Sequence, residues 1–158
     1  MIFVTVGSQK FPFDRLIQKV DQMIRAGLIQ EEVFIQTGTG KYVPSCRHQA
    51  FCRQEHFQEL MAACGILITH GGAGTMVDAV KRGKKTIVVP RLARYGEHVD
   101  DHQLELTQRL HQLKLIRACP DVELLPQALL DLREQSFEPF RSNTEVFLAS
   151  LDRCIRSL

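Results

Sequence analysis

The chain has no tryptophan, only two tyrosines and no apolar run of about 18 residues, the length that crosses a bilayer. Its five cysteines form no C-x-x-C pair and no zinc-finger spacing, which argues against a disulfide framework or a structural metal. The formal net charge is only +2 and no arginine-rich tract occurs, so no nucleic-acid partner is expected. The first residues lack the basic start of a signal peptide. We therefore expect a cytoplasmic, single-domain protein.

Short apolar strands alternate with helical patterns along most of the 158 residues. The strands are predicted at Ile2 to Val6, Val33 to Ile35, Ile66 to Thr69, Thr86 to Val89 and Leu115 to Ile116. Helices are predicted from Phe13 to Ile24, His56 to Cys64, Met76 to Arg82 and Val99 to Leu113. Fully apolar strands separated by helices indicate an α/β fold, in which a Rossmann-like parallel sheet is covered by helices on both faces.

The last part of the chain, residues 121–158, is predicted to be a helical tail. Asp121 to Glu134 has a helical pattern, Pro139 interrupts it, and Ser142 with Glu145 forms a capping box for a final helix. One face of that final helix is apolar, through Phe147, Leu151, Cys154, Ile155 and Leu158. The apolar face either packs on its own domain or contacts a partner protein.

The run Thr69-His70-Gly71-Gly72-Ala73-Gly74-Thr75 lies between a predicted strand and a predicted helix. Glycines let the backbone approach a ligand, and the first N–H groups of the helix have no partner within it. These amides, the helix dipole and the Thr75 hydroxyl favour an anion such as a diphosphate. A turn of this kind also occurs where it only closes a tight corner.

Six polar residues occur among the seven positions from Glu97 to Gln103, directly after another strand and its loop. Carboxylates and amides at the edge of an open α/β sheet suit the vicinal hydroxyls of a sugar. A solvated helix start would show the same pattern. His98 and His102 are four residues apart and could ligate a metal ion, but the sequence identifies no third ligand, so we predict no metal site.

Together these segments resemble the glycosyltransferase family 28 C-terminal domain, with closest likeness to the small catalytic subunits of split bacterial exopolysaccharide glycosyltransferases. The matching stretches are Phe3 to Gln9, Phe13 to Ile17, Ile68 to Thr75 and Val88 to Gln103. The resemblance implies one domain, 1–158, equivalent to the C-terminal half of a GT-B enzyme, which binds a UDP-sugar as substrate and needs no cofactor. It also implies an inverting hexosyl transfer to a lipid-diphosphate-linked saccharide. A membrane-associated acceptor-binding subunit would supply the missing half and recruit the chain to the inner face of the membrane.

The resemblance also implies roles for individual residues. The donor diphosphate would contact Gly7, Ser8, Gln9, His70, Gly71, Gly72, Gly74 and Thr75. Asp78 would bind the ribose, in place of the family's usual glutamate, and the loop at Phe51 and Cys52 would contact uracil. Glu97, Asp100, His102 and Gln103 would hold the donor sugar. His98 and Asp100 are the candidate catalytic residues.

Two other interpretations remain. The chain could be a non-catalytic accessory subunit that stimulates another glycosyltransferase, although the intact glycine turn argues against this. It could also be a nucleotide-binding module of another class. Against that, Gly7-Ser8-Gln9-Lys10 lacks the dinucleotide-binding G-x-G-x-x-G pattern, and Gly38-Thr39-Gly40-Lys41 lacks the spacing of a P-loop.

Overall fold

A computed structural model describes residues 1–140 and 144–157. Its centre is a six-stranded, fully parallel sheet in the order β3-β2-β1-β4-β5-β6. The strands are β1 (Ile2–Thr5), β2 (Val33–Gln36), β3 (Arg47–Gln49), β4 (Ile66–Thr69), β5 (Lys85–Val88) and β6 (Arg117–Ala118). β1, β2 and β4 are buried along their whole length, as apolar strands in the middle of a parallel sheet must be.

Helices cover both faces of this sheet. They are α1 (Asp14–Arg25), α2 (Gln54–Ala63), α3 (Ala73–Lys81), α4 (His102–Gln112), α5 (Leu125–Glu134) and α6 (Thr144–Arg156). The apolar sides of α1 and α5 pack on one face, in a cluster with Val4, Ile68 and Ile87. On the other face, α2 packs on Phe3 and Leu67, while α3 and α4 pack on Val88. The predicted Rossmann-like fold with helices on both faces is confirmed.

The structure differs from the prediction in several elements, among them α3, which begins at Ala73 and not at Met76. β3 was not predicted, because Arg47-His48-Gln49 is polar, exposed and at the sheet edge, where no apolar pattern is required. α4 begins at His102 and not at Val99, because residues 97–101 form turns stabilised by side-chain contacts described below. β6 lies at Arg117–Ala118 and not at Leu115–Ile116, after Lys114 has turned the chain with a φ of 57°.

Within residues 121–140 and 144–157 the chain forms a short turn and two helices. A short 3₁₀ turn at Val122–Leu124, capped by the Asp121 carboxylate, precedes α5. Leu151 of α6 packs with the residues of α3 and α4. The capping box at Ser142 and the side chains of Phe147 and Leu158 lie outside the described residues. None of the helices in residues 1–140 and 144–157 is long and apolar enough to cross a bilayer.

Candidate functional site

The sheet order places a topological switch point between β1 and β4. From β1 the chain continues to β2 on one side, and β4 starts the second half of the sheet on the other. Ligands of open α/β sheets bind in the crevice beyond the carboxyl ends of the strands at such a point. Gly7 follows β1 and His70 follows β4, and the backbone N–H of His70 donates to the carbonyl of Thr5. The two predicted phosphate-contacting turns therefore meet at the same edge.

The His70 ring fills the space between these two turns. A Cβ added to Gly7 would lie 2.6 Å from the imidazole, and one added to Gly72 would collide with it from the other side. Gly7 also has a φ of 76°, which residues other than glycine rarely adopt. Both glycines are therefore required because the imidazole lies against their backbone.

His70 is only 5% exposed, which determines its protonation. Burial and, to a lesser extent, the nearby Arg91 charge lower the pKa of His70 to about 4. The ring is therefore neutral at neutral pH. Its Nδ1 lies 3.2 Å from the Thr69 hydroxyl. When that hydroxyl donates to Nδ1, Nε2 carries the single N–H that the ring can offer to an anion.

The first turn of α3 presents free backbone amides. Gly72 is the N-cap residue, no described side chain caps the helix, and no acidic residue occupies its first turn. The N–H groups of Ala73, Gly74 and Thr75 are therefore open to an external acceptor at the positive end of the helix dipole. No described heavy atom lies within 4 Å of a Cβ built on Gly74. The helix start is accessible, as a phosphate site requires.

Gln103 joins the glycine turn to the loop after β5. Its side chain is buried, and its Oε1 accepts hydrogen bonds from the backbone N–H of Gly71 and of Arg91, both at 3.1 Å. Gly71 packs directly on α4 here, since an added Cβ would lie 2.8 Å from Gln103. Because Gln103 Oε1 already accepts these two hydrogen bonds, only the side-chain amide nitrogen is left to contact a sugar hydroxyl.

Arg91 is fully buried and was not predicted as a site residue. Its guanidinium donates to the carbonyls of Val6, Phe11 and Glu97, and it lies 5.0 Å from the centre of the Phe13 ring. Burial lowers the pKa of Arg91 to about 10, so the group remains charged at neutral pH. Arg91 thus fixes the loop after β1 against the loop after β5. In the sequence, the only indication of this role was the position of Arg91 directly after an apolar strand.

Glu97 is also almost fully buried, and its carboxylate is already engaged within the chain. Arg15 donates to it through Nε at 2.8 Å and Nη2 at 3.0 Å, and the Leu92 N–H donates at 2.9 Å. This places Glu97 in the support of the loop, with no oxygen free of these contacts. From the sequence we expected Glu97 to contact the sugar, because its partner Arg15 is 82 positions away and could not be recognised there.

His98, Asp100 and His102 come together on the exposed side of this loop. Asp100 Oδ1 lies 3.1 Å from His98 Nδ1, and it is also hydrogen bonded to His102 Nδ1. The two imidazole rings meet edge to face, with centroids 4.7 Å apart. The backbone N–H of His102 donates to Asp100, and this bond together with the imidazoles lowers the pKa of that carboxyl. The histidines were expected on one helical face, but a turn ahead of α4 brings them together.

The remaining predicted contacts lie around the same edge. Ser8 and Gln9 are exposed after Gly7. Asp78 forms an i,i+4 ion pair with Arg82 at 2.9 Å and is about one-third exposed. Phe51 is 51% exposed, in the loop after β3, and Cys52 packs beside α2. Burial raises the pKa of the Cys52 thiol, which does not favour a nucleophilic role.

Two concavities flank this edge without coinciding with the switch point. One, of about 450 Å³, lies behind the loop after β5 and is lined by Arg94, Tyr95, Asp101 and Pro120. The other, of about 620 Å³, is an apolar groove between α3 and α6, bordered by Gly74, Val77 and Ile155. The amides of the α3 start lie beside the second one. The candidate site is therefore defined by the polar groups at the strand ends and not by the shape of the surface.

Comparison with known proteins shows the family and the fold of this chain. The model of the glycosyltransferase family 28 C-terminal domain matches residues 1–156, and the chain belongs to that family. Human UDP-N-acetylglucosamine transferase subunit ALG13 is 30% identical over 122 residues, which are 70% of this chain and 10% of that protein. The chain thus spans about a tenth of the length of this curated relative.

Two solved structures show the same fold. The glycotransferase of kitacinnamycin matches with a TM-score of 0.62 and 17% identity, over 99% of this chain and 39% of that one. The solution structure of ALG13 matches with a TM-score of 0.61 and 18% identity, over 92% of each chain. The fold is that of one domain of a GT-B glycosyltransferase, and the chain is a glycosyltransferase-family protein.

Proposed function

We propose that this chain is the donor-binding, catalytic subunit of a UDP-sugar-dependent hexosyltransferase. The observation that carries the proposal is the uncapped start of α3 at the switch point, where the amides of Ala73, Gly74 and Thr75 are open to an anion. The UDP diphosphate docks there, with Gly7, Ser8 and Gln9 on its other side. The neutral His70 ring adds one N–H donor.

The rest of the donor lies along the same edge in this proposal. The ribose hydroxyls bind Asp78, and uracil lies against the loop at Phe51 and Cys52. The sugar hydroxyls bind the Gln103 amide nitrogen, Asp100 and His102, while Glu97 acts through the loop that it supports. The ionised state of Asp100, which its hydrogen bonds favour, lets it accept from two hydroxyls.

Transfer proceeds with inversion at the anomeric carbon. The acceptor hydroxyl oxygen bonds to that carbon as its bond to the β-phosphate oxygen breaks, and UDP leaves with the electron pair. The hydroxyl proton goes to Nε2 of His98 in the tautomer whose Nδ1–H already donates to Asp100 Oδ1, 3.1 Å away, in place of the 3.4 Å contact with the Asp100 N–H. The α3 amides and dipole stabilise the charge that develops on UDP, so the step needs no metal cofactor.

A second polypeptide completes the enzyme. A relative of this chain is named as a transferase subunit, and the kitacinnamycin glycotransferase has a further part beside the 39% that this chain matches. We propose that a membrane-associated subunit faces the strand-end edge, brings a lipid-diphosphate-linked saccharide, and recruits this chain to the inner face of the membrane. Exposed Tyr95 and Val99, at 52% and 74%, lie in the loop that such a subunit would meet.

Calorimetric titration of the isolated chain with UDP and a panel of UDP-hexoses tests the donor assignment. Gly74→Val should abolish binding of UDP and of every UDP-hexose. The new side chain would enter the open space at the start of α3 without meeting a neighbour at its Cβ. Gly65→Val is the matched control: Gly65 precedes β4 at the opposite edge and is equally open. Equal affinity of the wild-type protein and Gly74→Val would refute the diphosphate placement.

A transfer assay with partner-containing membranes then separates a catalytic from an accessory role. His98→Asn should keep UDP affinity and lose transfer. Transfer at the wild-type rate in both His98→Asn and Asp100→Asn would contradict the catalytic role.

A further inference from the structure

Three side chains with metal-ligating atoms converge ahead of α4. One ring nitrogen of His98, one ring nitrogen of His102 and a carboxylate oxygen of Asp100 all lie within 4.8 Å of one another. His98 is held from behind by the Phe11 ring, whose centroid is 6.2 Å from that of the imidazole. His102 and Asp100 are 40% and 56% exposed, so an ion from solvent can reach the cluster.

The spacing suits a tetrahedral divalent ion. Bonds of about 2.0–2.1 Å to a zinc ion place neighbouring ligand atoms about 3.3 Å apart. His98 Nδ1 and Asp100 Oδ1 are already 3.1 Å apart, so little rearrangement is needed on that side. Two imidazoles and one carboxylate are typical ligands of Zn²⁺, Co²⁺ and Ni²⁺, and three protein ligands leave one position open.

The backbone also favours this arrangement. Asp101, the next carboxylate, accepts the Ala93 N–H at 2.8 Å and so anchors the loop. Glu97 on the preceding side is held by Arg15. The turn between these anchors is therefore fixed at both ends, and Asp100, whose Oδ1 also accepts the His102 N–H, is directed at the two imidazoles. The third ligand that the sequence did not reveal is Asp100 itself.

We propose that His98, Asp100 and His102 bind one divalent transition-metal ion, and that the bound ion excludes the donor sugar. The ion is not a cofactor of transfer. It occupies the side chains that the proposed function assigns to the sugar and to proton transfer, and this second part rests on that proposed function. The nucleotide itself is spared, because the diphosphate binds at the α3 start.

A cobalt titration of the tag-free protein, with thiols blocked by N-ethylmaleimide, tests the site directly. We expect one equivalent to bind, with the visible bands of nitrogen and oxygen ligation and no thiolate charge-transfer band. His102→Asn and Asp100→Asn should each weaken binding by at least about tenfold, and the double variant His98→Asn/His102→Asn should abolish it. His48→Asn, which changes an exposed histidine on β3, should bind like wild type. Unchanged binding in the double variant, or no saturable binding in the wild-type protein, would overturn the site.

A competition experiment tests the exclusion. Zinc at a saturating concentration should weaken binding of a UDP-hexose while leaving UDP affinity unchanged, and the double variant should lose this effect on UDP-hexose. Equal affinity for the UDP-hexose with and without zinc would overturn the exclusion. If the protein binds neither nucleotide, the donor assignment fails, while the cobalt result still decides the metal site.

Discussion

The side-chain oxygen of Gln103 accepts the backbone N–H of Gly71 at 3.1 Å, and thereby ties the start of α4 to the glycine turn. The same oxygen accepts the Arg91 N–H, so one carboxamide sets the distance between the proposed phosphate-binding turn and the proposed sugar-binding loop. Neither N–H has access to water, which makes this bridge costly to remove.

Gln103→Met should therefore destabilise the protein and weaken UDP binding together. Each buried N–H left without an acceptor costs about 1–3 kcal/mol, and the glycine turn loses its anchor. Urea unfolding and UDP titration measure the two effects.

Thr107→Val, one turn further along α4, is the control. The buried Thr107 hydroxyl finds no hydrogen-bond partner among the described residues, so its removal should leave both quantities nearly unchanged. Equal stability of the two variants would contradict the role of the bridge.

Arg15→Met should be more harmful than loss of an ordinary ion pair. It leaves the Glu97 carboxylate, 3% exposed, without its bidentate partner, and breaking a buried pair from one side costs about 3–5 kcal/mol. Adding Glu97→Gln should restore part of the loss. Arg47→Met removes an exposed pair with Glu32 and should cost less than about 1 kcal/mol. Denaturant midpoints compare the variants, and similar losses for Arg15→Met and Arg47→Met would be incompatible with a supporting role for Glu97.

Asp21 should make the fold sensitive to acid. Burial acts to raise the pKa of its carboxyl, but hydrogen bonds from Ser45 and Tyr42 outweigh burial and lower the pKa below its ordinary value of 3.8. The folded state therefore binds this proton less readily than the unfolded state. The stabilisation is complete above pH 3.8 and is lost as the pH falls through the lowered pKa.

Asp21→Asn should lower stability at neutral pH and flatten its decline below about pH 4. Urea midpoints across that range measure this, and the exposed Asp152→Asn serves as control. An identical decline of stability at low pH in the wild-type protein and Asp21→Asn would show that these hydrogen bonds do not stabilise the carboxylate.

His70 should stay neutral far below the usual histidine range. Its folded pKa of about 4 lies under the ordinary value of 6.5, so between these values the unfolded chain takes up a proton that the folded one does not. Stability therefore falls as the pH drops from 6.5 toward 4, by about 1.4 kcal/mol per unit where the difference is one whole proton. A histidine-detected NMR pH titration gives the pKa of His70. Titration of His70 near the ordinary value of 6.5 would contradict the buried, neutral assignment.

The fold was predictable because its central strands are apolar on both faces. Ile66 to Thr69 and its neighbours bury every side chain, and such runs are visible without knowledge of the tertiary structure. β3 was not predictable in this way, since Arg47-His48-Gln49 is polar and exposed and pairs with β2 through its backbone.

The contacts within the candidate site were harder to predict than its position at the strand ends. The strand-turn-helix run through His70 and Gly74 is local, so its position at the strand end follows from the sequence. The pairing of Glu97 with Arg15 and the burial of Arg91 depend on residues about 80 positions apart. No local pattern encodes such contacts, so the support of the loop needed the structure, whereas the four-residue spacing of His98 and His102 was visible in the sequence.

Amide chemical-shift mapping of the isotope-labelled chain during a UDP titration tests the central claim most directly. The account predicts saturable shifts centred on the N–H groups of Ala73, Gly74 and Thr75 and on Gly7 to Gln9, at the switch point between β1 and β4. Perturbations confined to another surface, such as the concavity at Tyr95 and Pro120, or no saturable change with UDP, would contradict it.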